Sequence, residues 1–168
     1  MADIESMFHQ VKVHPEDRDL LRFLWWLEGN TNNNLEEYRM MVHLFGATSS
    51  PSCSNFALRK CATDQKDLYD DKTKDVVFNN FYVDDCLVSV TSESDAVHLY
   101  KNLTDMCAKG GFHLTKWMSN SCAVLSAIPE KDRKSKVKDL DLDHDALPLE
   151  RALGVQWCAE SVALTTYG

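Results

Sequence analysis

The segment Phe81-Tyr82-Val83-Asp84-Asp85-Cys86-Leu87-Val88 decides how this chain is read. Two adjacent acids sit among apolar, strand-forming residues, and such segments bury one or both faces and exclude charge. The acids therefore need either a turn, where Asp is common, or a compensating cation. Near the start, Asp3 stands in similar company between Ala2 and Ile4. Carboxylate oxygens suit Mg²⁺ or Mn²⁺, and two metals about 3.5–4 Å apart can clamp the attacking and leaving oxygens of phosphoryl transfer. This points to nucleotide chemistry, with solvated turn acids as the plain alternative.

Around that segment, residues 76–83 and 86–90 read as a hairpin with Asp84-Asp85 at its turn. Residues 92–109 form an amphipathic helix, with Val97, Tyr100, Leu103 and Cys107 on one face and Gly110-Gly111 as its stop. Strands are expected at 112–117 and around 123–125. Toward the start, residues 3–13 read as the end of a strand running into a turn, closed by the breaker His14-Pro15-Glu16-Asp17. Residues 22–27 and 38–43 suggest two strands joined by the Asn-rich loop 29–34. Ser50-Pro51 supplies an N-cap and a proline at the first helical position, ahead of a helix bearing Cys53, Phe56, Ala57 and Cys61 on one face. The charged stretch 64–75 reads as the helix end and a solvated loop; it lacks the glycine and spacing of a calcium loop. Residues 130–148 form a candidate linker, and 153–157 with 162–164 a last hairpin. This order fits an α+β fold, helices packed on one face of a mainly antiparallel sheet.

With 168 residues, 44% of them hydrophobic, the chain can bury a core and is expected to form a single domain. No apolar run approaches the roughly 20 residues that span a bilayer, and no signal peptide precedes the acidic start, so an intracellular, cytoplasmic location is expected. Six cysteines without a CxxC pair read as buried free thiols rather than a zinc site or disulfide framework. A formal net charge of −8 argues against strong nucleic-acid binding by this chain alone. Together with an important carboxylate so close to the terminus, it suggests part of something longer. The six histidines show no shared metal spacing, and there is no Gly-rich phosphate loop or Ser/His/Asp signature.

Five segments, in order, resemble the motifs of a reverse transcriptase palm, most closely that of the Bel/Pao class of LTR retrotransposon polyproteins. These are ADIESMFHQVKV, FGATSSPSCSNFALRK, NNFYVDDCLVS, AKGGFHLTKWMSN and ALGVQW, and the resemblance covers nearly all of residues 1–168. It implies a polymerase palm-like fold without the family's fingers and thumb. It also implies RNA-directed DNA synthesis by two-metal nucleotidyl transfer, Mg²⁺ or Mn²⁺ as cofactor, and RNA or DNA template, primer and dNTP as partners.

By the same resemblance Asp3, Asp84 and Asp85 are the catalytic, metal-binding acids, and Lys116 assists the departing pyrophosphate; a solvated edge lysine is the alternative for the last. Phe8, five positions after Asp3, matches the aromatic that excludes a 2′-hydroxyl, although alone it would read as core. Gly46, Ser50 and Pro51 match the second motif's nucleotide-facing helix start, but Leu44-Phe45-Gly46 departs from the Pro-Gln-Gly of wider relatives, so no role passes to Phe45. Tyr82 belongs to the substrate-binding set, and Gly154 and Trp157 to the primer grip, with a core aromatic as the alternative for Trp157. Two rivals stand beside this reading: a noncatalytic or domesticated retroelement remnant acting as an interaction module, and another palm-type enzyme such as a cyclase, which would need neither template nor primer motifs.

Overall fold

The structure, a computed structural model, describes residues 1–135, 149–152, 155–158 and 164–165. Its elements run β1 (Ala2–Ile4), α1 (Met7–Gln10), β2 (Arg22–Trp26), β3 (Leu35–Arg39), α2 (Ser50–Asp64), α3 (Asp71–Asn79), β4 (Phe81–Tyr82), β5 (Asp85–Cys86), α4 (Glu93–Lys109), β6 (Leu114–Thr115), α5 (Cys122–Ser126), β7 (Leu149–Ala152), β8 (Val155–Cys158) and β9 (Leu164–Thr165). The class is α+β. The chain divides into two compact units, one of residues 1–5 with 58–168 and one of residues 6–57.

In the first unit, β1 lies between β5 and β6 in an antiparallel sheet of order β4-β5-β1-β6. Ala2 faces Cys86 and Ile4 faces Leu114 across the ladders, and all four are buried. Between them, Asp3 faces Asp85 on one side and Thr115 on the other, and all three are only partly buried. Period-two alternation explains this division, because neighbours along a strand point to opposite faces. One face is apolar and belongs to the core with Val76 and Val77 of α3, Leu99, Leu103, Met106 and Cys107 of α4, and Leu125 of α5. The other face carries the acids.

The helices start where their caps dictate. Asp70 accepts from the Thr73 N–H, Ser92 from the Asp95 N–H and Ser121 from the Val124 N–H, each satisfying a donor the first turn leaves unpaired. At the end of α4, Gly110 is set by a close approach: a Cβ there would lie 2.2 Å from Cys61 Sγ. A T-shaped pair, Tyr100 and Trp117 with centroids 4.9 Å apart, joins α4 to the end of β6.

Three expectations are corrected. Residues 71–79 are helix, not loop and strand; the Asp70 cap and the buried Thr73, Val76 and Val77 at helical spacing outweigh the β-propensity of two adjacent valines. Residues 122–126 are likewise helical under the Ser121 cap. On α2 the buried positions are Ser50, Ser54, Leu58, Cys61 and Ala62; Cys61 lies on the expected face, but Phe56 is 70% exposed, so the buried face is turned about a quarter turn from the expected one.

In the second unit, β2 and β3 pair from Arg22↔Arg39 to Trp26↔Leu35. The second strand begins directly after Asn34, three residues ahead of expectation, because the Asn-rich loop closes on itself through Asn33 N–H to Asn30 O and Leu27 N–H to Asn34 O. Ion pairs of Arg22 with Glu37 and of Arg39 with Asp19 reinforce that register. β7, β8 and β9 form a separate three-stranded antiparallel sheet, extending the expected last hairpin by one strand. Cys53, Cys61, Cys86, Cys107 and Cys122 are free thiols, with Cys61, Cys86 and Cys107 buried and Cys53 and Cys122 half-buried.

Candidate active site

The hairpin carrying the paired acids is tighter than its sequence suggests. Phe81 pairs with Cys86 and Tyr82 with Asp85, so the two-residue loop is Val83-Asp84, and Asp85 belongs to the strand. Val83 has φ 54°, the left-handed region that two-residue hairpin turns require but a β-branched residue resists. Such strain persists only where its surroundings over-determine it. Here Asp84 O accepts from Ile4 N–H at 2.8 Å, and Asn80, which caps α3, closes the hairpin base with two hydrogen bonds to Leu87.

β1 then brings Asp3 opposite Asp85. Directly facing residues of an antiparallel pair share a face, with Cβ atoms about 4.5–5.5 Å apart, and like charges there repel. The effect is visible on Asp85: burial first, then the neighbouring charges of Asp84 and Asp3, push its pKa above the usual carboxylate range. The charge of Lys134 and, less strongly, that of Lys116 oppose that rise.

Lys116 reaches the cluster by an irregular route. Regular alternation after Leu114 and Thr115 would return it to the buried face, but its backbone is left-handed, φ 53°, and the side chain emerges with the acids. Nζ donates to Asp3 Oδ1 at 3.0 Å, with the lysine side chain 56% and the aspartate 20% exposed. That hydrogen bond, backed by the charges of all three acids, raises the lysine pKa despite partial burial, so the ammonium holds its proton firmly. Beneath the acids, burial pushes the Cys86 thiol up to about 11, leaving it protonated and unreactive.

The structure thus brings together Asp3, Asp84, Asp85 and Lys116. Tyr82 is on the same hairpin and 67% exposed. Phe8, Gly46, Ser50 and Pro51 belong to the second unit. There the Phe8 ring meets Phe45 at 5.6 Å, Gly46 adopts φ 88°, which only glycine takes without strain, and Ser50 is fully buried with its hydroxyl unpartnered. Trp157 is on β8, opposite Glu150 and Leu164, and Gly154 lies outside the described residues. An open depression of about 430 Å³ against α4 is lined by Glu93, Ser94, Val97, His98, Lys101 and Ala123, none of them in the acid cluster.

Two contributors escaped the sequence reading. Lys134, within the expected linker 130–148, acts on Asp85 through its charge, and no local pattern marks it. His113, whose Nδ1 is 3.0 Å from Glu5 Oε2, ties β6 to the end of β1 on the flank of the cluster, a pairing over 108 positions with no local signal.

Among the described residues, no group of three His, Cys, Asp or Glu side chains is gathered closely enough to hold a metal ion by itself. Mg²⁺ rarely asks for such a cage; it is commonly bound by one or two carboxylates, with waters and substrate phosphates completing the shell. Facing oxygen donors whose mutual repulsion needs a cation fit that demand.

A short antiparallel sheet with helices behind it and acids on its open face, one of them at a strained hairpin turn, is the design of a polymerase palm. Residues 1–122 match the family described as reverse transcriptase (RNA-dependent DNA polymerase), and the chain belongs to that family. The match contains all four clustered residues; the fifth motif lies beyond it. No curated protein matches the chain. Among the described residues, no helix is long and apolar enough to cross a membrane.

Proposed function

We propose that this chain is the palm of an RNA-directed DNA polymerase of the Bel/Pao class, joining a dNTP to a primer 3′-hydroxyl with Mg²⁺ or Mn²⁺ held by Asp3, Asp84 and Asp85. The carrying observation is the facing of Asp3 and Asp85 across β1 and β5, with Asp84 fixed beside them by the Ile4 hydrogen bond. The order of the five motifs supports the finer class.

The divalent cations, when bound, lower the pKa of the 3′-hydroxyl and neutralise charge on the triphosphate, which no side chain here could do alone. The protein's part is placement. The strained Val83 turn holds Asp84 and Asp85 beside β1, at the start of the inner strand β5, and the buried Ala2 and Ile4 fix the height of Asp3. Lys116, protonated and beside the acids, is suited to give a proton to pyrophosphate as the α–β phosphoanhydride bond breaks and the new bond to the primer oxygen forms. Phe8 sets the sugar preference by steric exclusion, and Trp157 and Gly154 grip the primer. With a net charge of −8, the chain relies on basic segments of a longer polymerase to hold template and triphosphate.

The test is RNA-templated primer extension by a full-length polymerase carrying this palm. Asp84→Asn should abolish synthesis, and the 168-residue chain alone should show none. Synthesis that survives Asp84→Asn would refute the assignment.

A further inference from the structure

Two independent features hold Lys116 on Asp3. One is the ion pair, at 3.0 Å. The other is the left-handed backbone at Lys116, which reverses the strand's alternation and aims the side chain at the acids. The residues after it are pinned by long-range backbone bonds, Trp117 N–H to Asp132 O at 2.8 Å, Lys134 N–H to Trp117 O at 3.1 Å and Met118 N–H to Met1 O at 2.9 Å. A strained conformation so firmly framed is a feature of the site, not slack in a loop.

Electrostatics says what it does there. Without a cation, the facing carboxylates of Asp3 and Asp85 repel, and an ammonium on Asp3 offsets part of that repulsion. A divalent cation arriving at the same oxygens would repel the ammonium. Building on the metal-binding reading above, we infer that Lys116 is a resident counter-ion that occupies the cation's place on Asp3 in the metal-free protein. Metal binding displaces it, and only then is its ammonium free to meet pyrophosphate. The proton donor is thereby tied away until the site is loaded, a coupling between cofactor occupancy and the leaving-group step that the separate roles of the residues do not contain.

The experiment is Mn²⁺ binding to the 168-residue chain, followed by the electron paramagnetic resonance of the free ion. Lys116→Met should tighten Mn²⁺ binding roughly three- to tenfold, the scale of releasing one part-exposed ion pair and lifting one repulsion. Lys116→Arg, which keeps the charge, should change it less than about twofold on the same scale. Lys134→Met removes a positive charge that also acts on Asp85, and should have a clearly smaller effect than Lys116→Met. In wild-type protein labelled at lysine Nζ, the Lys116 ammonium signal should be protected from exchange without metal and lost on adding Mg²⁺; this measurement decides even if Lys116→Met fails to fold.

Unchanged Mn²⁺ affinity in a folded Lys116→Met variant, an equal gain in Lys134→Met, or an ammonium signal indifferent to Mg²⁺ would overturn the latch while leaving the metal site standing. Mn²⁺ binding untouched by Asp84→Asn would instead place the metal elsewhere, and both readings would fall.

Discussion

Replacing Asp70 with alanine should loosen the helix that leads into the hairpin bearing Asp84 and Asp85. Asp70 caps α3, accepting from Thr73 N–H at 2.7 Å and Thr73 Oγ1 at 3.0 Å, and it reaches across to α4 through His98 Nε2 and Asn102 Nδ2, each at 2.9 Å. Partial burial pushes its pKa up, but the bonds from the Thr73 backbone, His98, the Thr73 hydroxyl and Asn102 outweigh it and hold the group at about 2, against 3.8 unperturbed. At full strength that gap is worth roughly 2.5 kcal/mol. The side chain is 40% exposed, and screening reduces the electrostatic part to about 1 kcal/mol. The cap contributes about 1 kcal/mol on its own scale, partly through the same bonds, so Asp70→Ala should lose about 1.5–2 kcal/mol at pH 7. Because the folded pKa is depressed, the contribution is complete above the unfolded value of 3.8 and disappears as pH falls through about 2. Urea denaturation at several pH values checks this: the gap between wild type and variant should be constant from pH 7 to 5 and shrink below pH 4. A gap that stays constant down to pH 2.5, or none at pH 7, would refute the reasoning.

Other outcomes follow from the same structure. Gly110→Ala should destabilise by about 1–3 kcal/mol through the Cys61 clash, and adding Cys61→Ala, which removes the sulfur at 2.2 Å, should restore part of it; additive losses in a double-mutant cycle would contradict the contact. Asp85→Asn should stabilise the metal-free chain by about 0.5–1 kcal/mol in thermal melts. Since the Asp85 pKa is raised, its penalty applies above that pKa and vanishes below the unfolded value, so the gain should fade toward pH 3. In a full-length polymerase, Phe8→Val should admit ribonucleotides with much less loss of deoxyribonucleotide use; unchanged discrimination would return Phe8 to a packing role.

Much of the arrangement was legible because it rests on local pattern. Alternation around Asp3, the capped helix 92–109 with its glycine stop, and the paired acids between strand formers each announce themselves within a few residues. The chain also hid several things. Val76-Val77 favours strand by propensity, and only the Asp70 cap with Thr73 buried three residues on marks the helix. The hairpin turn falls at Val83-Asp84 instead of Asp84-Asp85, because strand pairing with β1 claims Asp85 and forces a valine into a conformation it disfavours. Lys116 could be matched to a motif, but not aimed: its contact with Asp3 depends on a positive φ that no side-chain preference predicts. Long-range partners such as His113 with Glu5 and Lys134 with Asp85 leave no trace in local sequence.

The central claim is that Asp3 and the Asp84-Asp85 pair jointly hold a divalent cation, and paramagnetic broadening of backbone amide signals by Mn²⁺ tests it most directly. Substoichiometric Mn²⁺ should broaden the amides of Asp3, Ile4, Asp84, Asp85 and Thr115 first, and both Asp3→Asn and Asp84→Asn should abolish the effect while leaving the remaining spectrum in place. Broadening centred on another part of the chain, or a pattern at these five residues that survives either substitution, would contradict the account.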